Sequence, residues 1–115
     1  MCIRDSSSVA KDVGLDCLYE IHSLPELDKL SRCNPKLVGI NQRNLQTFEV
    51  DAEHALALCQ SLDDAVAKVA ESGIETPNQA QLLAEGGFNA VLIGESIATA
   101  SDPDTTLRSF TSIKI

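Results

Sequence analysis

The sequence predicts an α/β chain built from four βα units. Three observations predict it. Four strand-length apolar runs alternate with four helix-like runs over the 115 residues. Three of those apolar runs are nearly continuous, as in parallel strands covered on both faces. Every run ends in polar or glycine residues, and in parallel α/β folds functional groups gather at the carboxyl ends of the strands.

The elements follow in order. Residues 8–14 (SVAKDVG) read as the tail of a preceding helix, so the chain is expected to begin in mid-architecture. Residues 17–22 (CLYEIH) form the first predicted strand. Ser23-Leu24-Pro25-Glu26 then supplies a capping box, in which the Ser hydroxyl and the Glu carboxylate each satisfy a free backbone N–H. Leu24, Leu27 and Leu30 give that helix an apolar face. Residues 36–41 (KLVGIN) are the second strand. Asp51 caps a helix over 52–62, whose Ala55, Leu58, Cys59 and Leu62 recur at helical spacing. Residues 66–71 (VAKVAE) are the third strand. Thr76-Pro77-Asn78-Gln79 repeats the capping box with Pro at the first helical position, and Gly86-Gly87 ends that helix. Residues 89–94 (NAVLIG) are the fourth strand, and Asp102-Pro103 opens the last helix.

Right-handed crossovers between parallel strands follow from this alternation. Two architectures stay open: a small open sheet, or half of an eight-unit barrel, which takes ~250 residues when complete. Composition narrows the function. The chain is 43% apolar with a net charge of −8, and both halves are acidic. With no basic stripe and only four aromatic residues, it is not expected to bind nucleic acid. No apolar run nears the ~20 residues of a membrane span. Cys2, Cys17, Cys33 and Cys59 fit no metal-binding spacing, and residues 1–8 have no secretory apolar core. Reduced thiols and a cytoplasmic location are expected.

The strand ends carry the candidate chemistry. Glu20 lies in a run that reads as buried, so its carboxylate is either ion-paired or faces a polar cavity with a raised pKa and an acid/base role. His22, just past the strand, reads as a supporting loop residue. Asn41 and Arg43 bracket the second strand end. The Arg fork suits a carboxylate or phosphate, or simply a neighbouring acid. Glu71 repeats the placement of Glu20, and two carboxylates in different environments divide acid and base duties. Ser72-Gly73-Ile74 and Gly94-Glu95-Ser96 read either as ordinary turns or as a phosphate cradle, since Gly lets the backbone approach a ligand.

Specific strings then point to a family. Residues 15–22 (LDCLYEIH), 38–51 (VGINQRNLQTFEVD), 69–74 (VAESGI) and 90–97 (AVLIGESI), in this order and spacing, closely resemble indole-3-glycerol-phosphate synthase. The GINQRNL string is the most specific of them. The resemblance runs from about Ser8 to Phe110 and implies the C-terminal half, units five to eight, of a TIM (β/α)8 barrel with parallel strands and outer helices. It divides the chain into a non-family segment, 1–7, and an incomplete domain, 8–115. It implies a carboxy-lyase of tryptophan biosynthesis that closes the indole ring of 1-(2-carboxyphenylamino)-1-deoxyribulose 5-phosphate with loss of CO2 and water, using no cofactor and no metal. By that resemblance Glu20 and Glu71 are catalytic; Asn41, Arg43 and Ser72 contact substrate; Gly73, Gly94, Glu95 and Ser96 hold its phosphate.

The departures carry expectations too. The family's first- and third-strand lysines have no counterpart among Lys11, Lys29, Lys36, Lys68 and Lys114, so this chain alone is expected to be inactive. Gln42 stands where the family often has Asn, and Lys68 occupies a usually apolar strand position. The open strand edges of a half-barrel are expected to self-associate or to pair with a complementary N-terminal half. The alternatives are a non-catalytic half-barrel that binds phosphorylated ligands or a partner, and another phosphate-handling barrel such as phosphoribosylanthranilate isomerase.

Overall fold

Parallel pairing is the first expectation that the tertiary structure meets. A computed structural model describes residues 3–113. Strands β1 (Tyr19–Ile21), β2 (Leu37–Asn41), β3 (Ala67–Glu71) and β4 (Ala90–Leu92) form one sheet in that order. Every neighbouring pair is parallel. Between them run α2 (Leu24–Leu30), α3 (Ala52–Gln60) and α4 (Pro77–Glu85), with α6 (Pro103–Thr111) after β4. Two elements were not anticipated: a 3-10 turn at Ser31–Cys33 and a short helix α5 (Glu95–Ala98) directly after the fourth strand. The leading helix α1 spans Ile3–Asp12 and therefore starts before Ser8, where the sequence placed its tail.

The registers sort the side chains by face. Tyr19, Val38 and Lys68 lie in one row, and Ile21, Ile40, Ala70 and Val91 in another on the same side, because the strand period is two. This side packs against the helices. Val38, Ile40 and Ala70 are fully buried with Ala55, Leu58 and Cys59 of α3, and with Ala80 and Leu83 of α4. The opposite side carries Glu20, Gly39, Val69 and Glu71.

Covering on both faces holds only in the middle of the sheet. β2 and β3 are buried over four consecutive residues each, whereas Glu20 of β1 and both Ala90 and Leu92 of β4 are exposed. An edge strand has a neighbour on one side only, so an apolar run there does not imply burial of both faces. The strands at the two edges are also shorter than their apolar runs, three residues each.

Lys68 sits inside β3 despite its charge. Its stem lies on the helix side and its ammonium reaches Asp64 at 3.7 Å, so the amphipathic side chain buries its methylenes and keeps its head at the margin. The thiol of Cys59, buried beside it, is pushed up by desolvation, with the Lys68 charge opposing that rise in part. Cys17, Cys33 and Cys59 are free; Cys2 lies outside the described residues.

The predicted caps form. The Asp51 carboxylate accepts from the His54 N–H at 3.0 Å. In α2, Glu26 accepts from the Ser23 N–H at 3.0 Å, with Pro25 in the first turn. In α4 the box is reciprocal: Thr76 Oγ1 accepts from the Gln79 N–H at 3.3 Å, and Gln79 Oε1 accepts from the Thr76 N–H at 3.1 Å. Thr76→Ala removes half of this arrangement. It is expected to cost about 1 kcal/mol of stability, read as a lower urea midpoint with an unchanged slope.

Candidate functional site

The four strand ends open into one cavity of about 610 Å³. Eight of the nine residues expected there line it: Glu20, Arg43, Glu71, Ser72, Gly73, Gly94, Glu95 and Ser96. Asn41 does not. It is buried, and its side-chain carbonyl turns back to accept the Arg43 N–H at 2.9 Å, so it shapes the strand exit. His22 also stays outside, donating from Nδ1 to the Asn41 carbonyl at 2.9 Å. His54, which carried no sequence signal, donates from Nε2 to the His22 carbonyl at 2.7 Å and braces that loop.

Glu71 is the least ordinary group in the cavity. It is 3% exposed, and its pKa rises to about 8. Desolvation is the main cause. A hydrogen bond shared with Glu20 and the Glu20 negative charge add to it. The two carboxyls come from strands that are not neighbours, since β2 lies between β1 and β3. Gly39 on β2 makes their meeting possible. A Cβ at that position would stand 1.9 Å from Glu71 Oε1, so the carboxyl occupies the space a side chain would take and lies across β2 toward Glu20. Sequence reasoning passed over Gly39. Its signal was present: a glycine inside a strand marks a place where another group approaches the backbone closely.

The turn after β3 is the second special feature. Ser72 and Gly73 both adopt left-handed backbone, at φ of 67° and 66°. Glycine does so freely, whereas Ser72 carries the strain of a side chain in that region. The N–H groups of Ser72, Gly73 and Ile74 are taken by no protein acceptor among the described residues, and all three residues line the cavity. Successive unpaired N–H groups of this kind attract anions. Gly94 differs from Gly73. Its φ is −129°, and a Cβ there would meet nothing within 4 Å. The Ser96 hydroxyl donates to the Ile74 carbonyl at 2.9 Å and ties the α5 turn to the turn after β3. Arg43 is half-buried and is the cavity's single cation among its described lining residues.

A cavity with a hydrogen-bonded carboxyl pair, one guanidinium and a row of free N–H groups fits the strings that carried the family resemblance. The model of the indole-3-glycerol phosphate synthase family matches residues 3–110. The chain belongs to that family.

Curated relatives of the same description include one from Chloroherpeton thalassium, 44% identical over 80% of this chain and 35% of its own length. Others are from Lachnoclostridium phytofermentans, 38% identical over 91% of this chain and 39% of the relative, and from Koribacter versatilis, 39% identical over 92% and 41%. The chain thus spans about two-fifths of the length of these synthases. Among solved structures, thiamine phosphate pyrophosphorylase from Pyrococcus furiosus superposes with a TM-score of 0.77 at 17% identity, over 96% of this chain and 53% of that one. That likeness is one of fold. No helix among the described residues is long and apolar enough to cross a membrane.

Proposed function

We propose that this chain supplies units five to eight of an indole-3-glycerol-phosphate synthase barrel. In that reading it carries the carboxyl pair, the substrate-carboxylate contact and the phosphate cradle of a ring-closing carboxy-lyase acting on 1-(2-carboxyphenylamino)-1-deoxyribulose 5-phosphate. The observation that carries the reading is the Glu20–Glu71 pair facing Arg43 and the Ser72–Gly73 turn across one cavity.

The chemistry follows from the groups. Closing the indole ring requires protonation of the substrate's carbonyl oxygen, loss of CO2 and loss of water. Glu71 keeps its proton up to about pH 8 and so serves as a general acid at neutral pH. Glu20, within hydrogen-bonding reach of it at the exposed rim, takes up or returns the proton. Arg43 presents a planar fork to the substrate's aromatic carboxylate. The N–H groups of Ser72 and Gly73, with those of Gly94, Glu95 and Ser96 across the cavity, receive the phosphate. Asn41 acts here by fixing the Arg43 backbone at the strand exit. The exposed edges β1 and β4 are the places where further barrel units, or a second copy, add strands.

Two measurements test the reading. The cavity's described lining contains no lysine, and the purified 115-residue chain is expected to show no detectable ring closure. Turnover above a Glu20→Gln control overturns that expectation. Inorganic phosphate is expected to shift the amide resonances of Gly73 and Ser96, and unmoved resonances there remove the phosphate role of the two turns.

A further inference from the structure

The left-handed turn at Ser72–Gly73 needs something to hold it, and the residue in position to do so is Gln42. Its side chain is buried, at 3% exposure. Its Nε2 donates to the Ser72 carbonyl at 2.8 Å, and its backbone N–H donates to the Glu71 carbonyl at 2.9 Å. One residue therefore grips both carbonyls that flank the start of the turn. The Gln42 carbonyl in turn accepts the Asp51 N–H at 2.9 Å, which anchors it to the cap of α3. The same loop delivers Val50, paired with Arg43, against Gly73: a Cβ on Gly73 would stand 2.6 Å from Val50 Cγ1. The turn is thus clamped from β2 and its following loop.

We infer that Gln42 is a positioning residue, whose side-chain amide holds Ser72 in its left-handed conformation and so presents the free N–H groups of residues 72–74 to an anion. Ser72 is the strained member, because its Cβ makes left-handed backbone unfavourable. Two anchored carbonyls leave the peptide unit between Ser72 and Gly73 one orientation. Without the Nε2 donor the turn relaxes to other conformers. An anion then binds only the fraction still in the competent shape, and its apparent affinity falls by that fraction. The inference rests on the phosphate reading above for its ligand, while the conformational part stands without one.

Gln42→Met is the test, since Met keeps the length and packing of Gln and lacks the donor. The labelled full chain is expected to keep its β-strand amide resonances. Ser72 and Gly73 are expected to lose backbone order parameter, and the one-bond Cα–Hα coupling of Ser72 is expected to leave its positive-φ value. Inorganic phosphate binding should weaken by roughly tenfold, the worth of one hydrogen bond to a buried partner. A variant whose Ser72 stays rigid and left-handed overturns the inference, whatever phosphate does. If wild type shows no phosphate shifts at all, the phosphate reading fails and the Ser72 measurements still decide the role of Gln42. If Gln42→Met does not fold, the wild-type chain suffices: slow exchange of the Gln42 side-chain amide protons supports the bond to Ser72, and fast exchange overturns it.

Discussion

Replacing Glu71 by Gln is expected to stabilise the chain at pH 8 by on the order of 4 kcal/mol and to leave it unchanged at pH 4. The sign comes from proton binding. In the unfolded chain the carboxyl titrates near 4.5; in the fold it titrates near 8. Between those values the folded chain holds a proton that the unfolded chain has released. Stability is therefore complete below about pH 4.5, falls as pH rises through this window, and is level above it. Each pH unit in the window costs about 1.4 kcal/mol. Gln imitates the protonated acid and does not titrate, so it escapes the loss. Urea unfolding of both proteins at pH 4, 6 and 8 checks this. Parallel pH profiles would show that Glu71 is not the group whose proton the fold retains.

Gly39→Ala is expected to leave the sheet intact and to separate the two carboxyls. The atom that the new methyl meets is Glu71 Oε1, the end of a flexible side chain, so the carboxyl swings away more readily than the strand moves. Once off β2 it loses its bond to Glu20 and gains water. Both changes lower its pKa toward that of an ordinary carboxyl. Side-chain carbon resonances of Glu71 followed through a pH titration measure the shift directly. The urea profile should flatten with pH at the same time, approaching that of Glu71→Gln. A midpoint still near 8 in Gly39→Ala would mean that the Glu71 carboxyl does not need the space above Gly39.

Most of the architecture was legible because its signals are local. The Thr76 and Asp51 caps act within three residues of themselves, so sequence spacing alone reveals them. The strand at residues 66–71 was legible as well, although Lys68 weakened it. The sheet tolerates that lysine because its row lies on the helix side of the sheet and the ammonium reaches Asp64 at the margin. The short helix α5 was not legible: Gly94-Glu95-Ser96 reads equally as a turn, and four residues carry too little pattern to separate the two. The part-exposed edge strands were misread for a related reason. Apolar content does not state how many neighbours a strand has.

Within the site, the family motifs located the mouth, and eight residues expected at it line the cavity together. What those residues do to one another was set elsewhere. Glu71 meets Glu20 across an intervening strand, over a glycine 32 residues earlier in the chain, and Gln42 reaches Ser72 across 30 residues. By itself the sequence determined the βα order, the helix starts and which side chains stand at the strand ends, because these depend on chain direction and on neighbours within a few positions. The tertiary structure decided which carboxyl keeps its proton and which turn is held left-handed. Desolvation and the hydrogen bonds that oppose backbone strain exist only after distant strands have been brought side by side.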